Sequence, residues 1–179
     1  MGVIFLAGIH GVGKGYVGEP VAKRLGIHYA KASDLIRAEK GRATWTTEKH
    51  VAEIEDNQEA LARSVLRLVE SEFTILLDGH FVLRDTAGNP QKLPVSLFSK
   101  LPVAAAVLLH TDARTVATRL HERDGVMREE ADIRNLAGAE AEHAASVCNE
   151  LGIPLFSLHG PTEERLAETI APFVSSAAR

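Results

Sequence analysis

The sequence predicts an α/β fold, a three-layer arrangement with a central parallel sheet of about five strands and helices on both faces. Three observations predict it. Short, largely apolar runs at 3–7, 73–77 and 103–109 are the mark of strands buried on both faces. Helical patterns separate them, and strands alternating with helices imply a parallel sheet. The first strand also runs into a glycine-rich turn that opens directly into a helix. With 179 residues the chain is the size of one domain, here 1–179. That length buries roughly 70% of the unfolded surface, so no disulfide or structural metal is needed.

After the strand at 3–7, a helix is expected from about 14 to 25, stopped by Gly26. Residues 27–30 read as a short second strand. Ser33 as N-cap, with Asp34 at the positive helix end, starts the next helix. Thr47 opens a longer one, with Val51, Ile54, Leu61, Val65 and Leu68 on its apolar face. The strand at 73–77 ends in Asp78-Gly79, and residues 84–94, with Gly88-Asn89-Pro90, read as a loop. The strand at 103–109 is followed by a helix capped by Thr111 or Asp112. A helix from about 129 to 151 ends at Gly152, a last strand covers 153–158, and Thr162 caps a C-terminal helix.

Composition excludes several classes. A net charge of -4 from 20 basic and 24 acidic residues rules out a generally basic, nucleic-acid-coating surface. The longest apolar stretch, 101–109, is too short to span a bilayer and carries Pro102. A lone cysteine, Cys148, excludes an internal disulfide and a cysteine-based zinc site, and its neighbours make it a small buried hydrophobe. The eight histidines lack metal-ligand spacing. The apolar N-terminal run has no basic segment before it, so a cytoplasmic protein is expected, without nucleic-acid or membrane partners. No signal for oligomeric state is present.

Gly8-Ile9-His10-Gly11-Val12-Gly13-Lys14-Gly15 has P-loop spacing between a strand and a helix. Such glycines let backbone N–H groups curl around a polyphosphate, the helix N-terminus adds positive dipole, and Lys14 reaches the transferring phosphates. The cradle for ATP is therefore Gly8, His10, Gly11, Val12, Gly13, Lys14, Gly15 and Tyr16, with Lys14 expected as an exposed loop charge. Most P-loops place Ser or Thr after the lysine to ligate magnesium; here Gly15 stands there. Asp78, closing a buried strand, is the carboxylate suited to orient Mg2+ through water. A loop-capping role is its alternative.

The glycine after the lysine resembles the adenylate kinases and related nucleoside monophosphate kinases, although Tyr16 replaces their usual threonine. Three further segments are similar to that family in the same order. Ala32-Ser33-Asp34-Leu35-Ile36-Arg37-Ala38 looks like the segment whose arginine grips the acceptor phosphate. Leu76-Leu77-Asp78-Gly79-His80-Phe81, followed by Arg84, resembles its strand-end aspartate and second acceptor-side arginine. Arg119, Arg123 and Arg128 resemble the arginines of its lid. The layout is closest to the archaeal-type adenylate kinases. The resemblance implies an acceptor-binding lobe at about 30–72, with Ser33, Arg37 and Arg84 on the acceptor, and a short lid at about 123–134. It also implies catalytic roles for Lys14, Arg119, Arg123 and Arg128.

From the residues themselves, Arg119 and Arg123 share one helix face. Pairing with Glu122 or Asp124 on a solvated surface stays open for one of them. Trp45 either stacks on a base or packs the acceptor lobe, and His80 either meets substrate or is a satisfied strand-end histidine. The leading expectation is transfer of the γ-phosphoryl of Mg-ATP to AMP or another nucleoside monophosphate. Alternatives are a small-molecule kinase of the shikimate or gluconate type, and a nucleotide-gated ATPase that works with a macromolecular partner.

Overall fold

The structure is a computed structural model that describes residues 2–40, 51–71, 74–85, 87–125 and 127–174, with the side chains of 51–55 left out. Trp45 and the expected Thr47 helix start lie outside the described residues. Five parallel strands form the sheet: β1 (Gly2–Ala7), β2 (His28–Lys31), β3 (Thr74–Asp78), β6 (Val103–His110) and β7 (Leu155–His159). Their order is β2-β3-β1-β6-β7. Because side chains alternate along a strand, the continuous apolar run of β1 serves both faces. Val3, Phe5 and Ala7 enter one core cluster, and Ile4 and Leu6 the other.

Helix α1 (Lys14–Leu25) packs Val17, Val21 and Ala22 onto the Ile4 face, together with α5 (Ala113–Asp124) and α7 (Glu163–Ile170). On the Phe5 face, α3 (Val51–Ser71) contributes Leu61, Ala62 and Val65, and α4 (Val95–Ser99) contributes Leu97 and Phe98. Phe5, Phe81 and Phe98 form an aromatic cluster whose ring centroids lie 4.7 to 5.5 Å apart. Gly79 admits that cluster, since a Cβ there would lie 2.6 Å from Phe5 Cζ. Helix α6 (Glu130–Leu151) joins both faces, giving Ile133 and Leu136 to one cluster and Ala144, Val147 and Cys148 to the other. Burial pushes the Cys148 thiol up to about 11, as suits an unreactive core position.

Several details differ from expectation. Helix α2 (Ala32–Lys40) begins directly after β2, so Ser33 lies inside its first turn and is not its N-cap. Residues 84–94 are not a plain loop. They include an antiparallel hairpin of β4 (Val82–Arg84) and β5 (Pro90–Lys92), closed by Asp85, whose carboxylate accepts from the Asn89 N–H at 2.8 Å. Of the two candidate caps for α5, it is Asp112 whose side chain accepts from the Thr115 N–H. The expected lid span is the end of α5, a turn through Gly125, and the start of α6. Among the described residues no helix is long and apolar enough to cross a membrane.

The topology positions the site. The chain leaves β1 onto one face of the sheet, through α1, and leaves adjacent β3 towards the other, through Phe81 and α4. A crevice at such a divergence, beyond the carboxyl ends of the strands, is where open α/β sheets bind ligands.

Candidate active site

The P-loop turn takes its shape from glycines with positive φ at 8, 11 and 13, and Gly13 is the left-handed residue that precedes α1. Lys14, the first residue of that helix, is only 7% exposed, so the expectation of an exposed loop charge is corrected. Its ammonium donates to the Gly8 carbonyl at 2.6 Å and stands 3.5 Å from Asp78 Oδ1. Burial lowers its pKa, against the opposing pull of Asp78 and Glu140. Strand β3 brings in Asp78 because Leu6 and Asp78 are register partners across β1 and β3. Asp78 Oδ2 in turn accepts the Tyr29 hydroxyl proton at 2.6 Å. Tyr29 reaches it from β2, where Lys31 is the register partner of Asp78.

This group opens into a cavity of about 690 Å³. At the P-loop end it is lined by His10, Gly11, Gly13, Lys14, Gly15, Tyr16, Arg119 and Arg123. Arg119 donates to the carbonyls of Val12 at 3.0 Å and Gly11 at 3.3 Å, so it grips the P-loop from outside. Arg123 lines the same end while held by the neighbouring Asp124 carboxylate at 2.6 and 2.7 Å, which raises its pKa. The cavity-lining and the surface-pairing readings of Arg123 therefore hold together. His10 and His80 both line the cavity with ring centroids 4.3 Å apart.

The opposite end has a different lining. Leu61, Leu83, Leu93, Leu97, Leu101 and Ile36 form its walls, and Ser33, Asn57, Gln58 and Lys31 supply polar groups. Lys31 is held at 2.9 Å by Glu19, and Lys40 donates to Asn57 at 3.0 Å. The two arginines expected at the acceptor are not among the cavity-lining residues. Arg37 lies on the outer side of α2, 3.3 Å from Asp34. Arg84 donates to the carbonyls of Gly88 at 2.9 Å and Asp132 at 3.4 Å, which ties the hairpin to α6. Arg128, expected in the lid, is exposed and also outside the cavity lining, close enough to oppose the charge of Arg84.

Glu140, which sequence reading misses, is a centre of this architecture. It is 1% exposed and accepts from three backbone N–H groups: Gly8 at 3.2 Å, Phe81 at 3.0 Å and Val82 at 2.6 Å. One carboxylate on α6 thus joins the start of the P-loop to the turn after Asp78. Desolvation raises its pKa, while those N–H groups and Lys14 pull the other way. The sequence does carry a signal for it. Glu140 falls on the apolar stripe of Ile133, Leu136, Ala144 and Val147, where a charge needs partners.

Among the described residues there is no cluster of three or more metal-ligating side chains. Magnesium in phosphoryl-transfer sites keeps most of its waters and takes one or two carboxylates plus phosphate oxygens. A single half-buried carboxylate beside the P-loop lysine, Asp78, fits that requirement.

Comparison with solved structures finds the same fold at low identity. Shikimate kinase from Acinetobacter baumannii, in complex with shikimate, is 16% identical, with a TM-score of 0.56 over 97% of this chain and 92% of that one. A gluconokinase from Sinorhizobium meliloti 1021 is 20% identical, with a TM-score of 0.52 over 97% and 98%. The YorR protein of Bacillus subtilis, in complex with phosphorylated GDP, is 19% identical, with a TM-score of 0.58 over 96% and 94%. No curated protein matches the sequence. Residues 7–137 match the model of a family described as AAA domain, a span that runs from the end of β1 through the P-loop, Asp78 and the arginines of α5 into α6. With its P-loop kinase fold, the chain belongs to the AAA domain family.

Proposed function

We propose that this protein is a Mg-ATP-dependent phosphotransferase acting on a small hydroxyl-bearing acceptor. One observation carries this reading: the Lys14–Asp78 pair stands at the junction of a phosphate cradle and a chamber lined by side chains, within one cavity. Its volume of about 690 Å³ lies in the usual range for small-molecule sites. Phosphoryl transfer asks a protein to align two reactants and neutralise charge spread over the equatorial oxygens. P-loop N–H groups and Lys14 bind and orient the donor phosphates, and Arg119 and Arg123 stand where charge develops. Ser33, Asn57, Gln58 and His80 offer hydrogen bonds to an acceptor. Asp78 would hold Mg2+ through water, and the ion would supply positive charge to offset that of the transferring phosphates.

The lining favours a hydroxyl acceptor over the nucleoside monophosphate that the sequence resemblance implies. Arginine is the side chain whose planar fork matches phosphate. Among the described residues, the lysines and arginines lining the cavity are Lys14, Lys31, Arg119 and Arg123, and all but Lys31 serve the P-loop end. Lys31 is already paired with Glu19. The similarity of fold to a shikimate kinase and a gluconokinase supports the same choice.

The deciding experiment is one panel. Purified protein with Mg-ATP is offered shikimate, gluconate, other polyols and hydroxy acids, and each common ribo- and deoxynucleoside monophosphate, and the products are separated chromatographically. Phosphorylation of a non-nucleotide supports the proposal, and diphosphate formation replaces it with nucleoside monophosphate kinase activity. Slow ATP hydrolysis with no phosphorylated acceptor would overturn both in favour of a nucleotide-gated ATPase.

A further inference from the structure

The P-loop lacks the hydroxyl that normally follows its lysine, and the structure shows that this is not for want of space. A Cβ added at Gly15 would meet nothing closer than Tyr29 Oη at 3.6 Å and Glu19 Oε1 at 3.7 Å, both ordinary contacts. Gly15 also has no positive φ that would forbid a side chain. The polar atom nearest that volume is therefore another hydroxyl, delivered from β2.

Two features hold it there. Tyr29 Oη donates to Asp78 Oδ2 at 2.6 Å, which fixes the hydroxyl beside the carboxylate next to Lys14. Its ring lies tightly against α1 at Gly18, where a Cβ would come within 2.7 Å of Tyr29 Cε2. The glycine thus sets how close the ring approaches the helix. Besides these two contacts, Lys31 Nζ lies over the ring, 5.8 Å from its centroid. A phenol that donates its proton to a carboxylate keeps its lone pairs as acceptors, so it can receive a hydrogen bond from a metal-bound water.

We propose that Tyr29 takes over the part of the missing P-loop hydroxyl, holding the Mg2+-bound water of the nucleotide complex together with Asp78. This rests on the Mg-ATP reading above and deepens it. Tyr29 is a positioning residue: it acts on the metal's water shell and touches no reacting atom.

The test measures metal binding. Mn2+ affinity of the protein–ADP complex is read by electron paramagnetic resonance, and ADP affinity without metal by calorimetry. Tyr29→Phe keeps the ring against Gly18 and removes only the hydroxyl, so metal affinity should fall about 10- to 100-fold with metal-free ADP binding unchanged. Adding Gly15→Ser to Tyr29→Phe should restore most of it, because a serine there enters the volume beside Asp78. Unchanged Mn2+ affinity in Tyr29→Phe would overturn the proposal. So would a loss that Gly15→Ser does not restore, since Tyr29 would then act only by placing Asp78. Failure of the unsubstituted protein to bind ADP at all would instead strike the nucleotide reading and the proposal with it.

Discussion

The two ends of the cavity are built from different materials. The P-loop end is built on backbone, a glycine turn and a helix N-terminus, to which Lys14, held between the Gly8 carbonyl and Asp78, and the arginines of α5 add positive charge. The acceptor end is almost wholly side chain, with leucines for walls and an amide pair, Asn57 and Gln58, among its polar groups. Backbone donors are the same whatever the sequence, provided the glycines keep the turn. Side-chain walls change with every substitution. The P-loop end therefore depends on a few glycines and charges, whereas the selectivity of the other end rests on this chain's own side chains.

The largest effect should come from the P-loop end. Lys14→Met is expected to lower turnover by ~10³-fold or more, as loss of a charge aimed at the transferring group does. If the donor end is a device separable from the rest, acceptor binding measured by calorimetry should stay near normal. Turnover within a few-fold of the original, by a folded protein, would mean that Lys14 does not act on the transferring group. Arg123→Met should cost ~10²-fold or more in kcat with ATP affinity little changed, the signature of a contact made in the transition state. Arg128→Met should cost much less, since Arg128 lies outside the cavity lining. Equal losses in both would mean that the turn between α5 and α6 closes over the phosphates during turnover.

What the sequence made legible follows the same division. Glycine spacing, a strand-end aspartate and a helix start are local patterns, so the P-loop and Asp78 could be read without a fold. The Lys14 environment could not, because Asp78 and Glu140 arrive from β3 and α6, far along the chain. Residues 84–94 read as loop because strands of three residues, one starting at Pro90, are too short to show a period. Arg37 and Arg84 illustrate a further limit. Their positions beside recognisable segments were legible, but the direction of a long side chain on α2 or β4 depends on neighbours such as Asp34 and the Gly88 carbonyl.

Glu140 joins the start of the P-loop to the turn after Asp78, and its removal should separate fold from chemistry. Glu140→Gln replaces a carboxylate that receives three N–H groups with an amide that can satisfy fewer. A loss of about 1–3 kcal/mol is expected from the donors left unmatched, measured by urea unfolding. The pH dependence has a definite sign. Burial raises the pKa of Glu140 in the folded state, so the folded protein holds the proton more tightly than the unfolded chain. The stability linked to that proton is complete below the ordinary carboxylate pKa and is lost as pH rises through the raised value. The stability gap between the original protein and Glu140→Gln should therefore narrow as pH rises through that window. A constant gap would mean that the carboxylate titrates alike in both states.

The smallest expected effect decides most about the acceptor. Arg37 sits on the exposed side of α2 with Asp34, and Arg84 holds the hairpin to α6. If the acceptor end recognises hydroxyl groups through Ser33, Asn57 and Gln58, Arg37→Met should leave the acceptor KM within about two-fold, as expected of a surface pair with little net energy. Arg84→Met should lower stability by about 1 kcal/mol through its lost carbonyl contacts, again with KM nearly constant. Asn57→Ala should raise the acceptor KM by about ten-fold, because a buried hydrogen bond to substrate is lost without replacement. The ranking is what matters. Were Arg37→Met to raise KM more than Asn57→Ala does, α2 would have to turn its arginine inward when the acceptor arrives. The acceptor would then be one that already carries a phosphate, and the nucleoside monophosphate reading would regain first place.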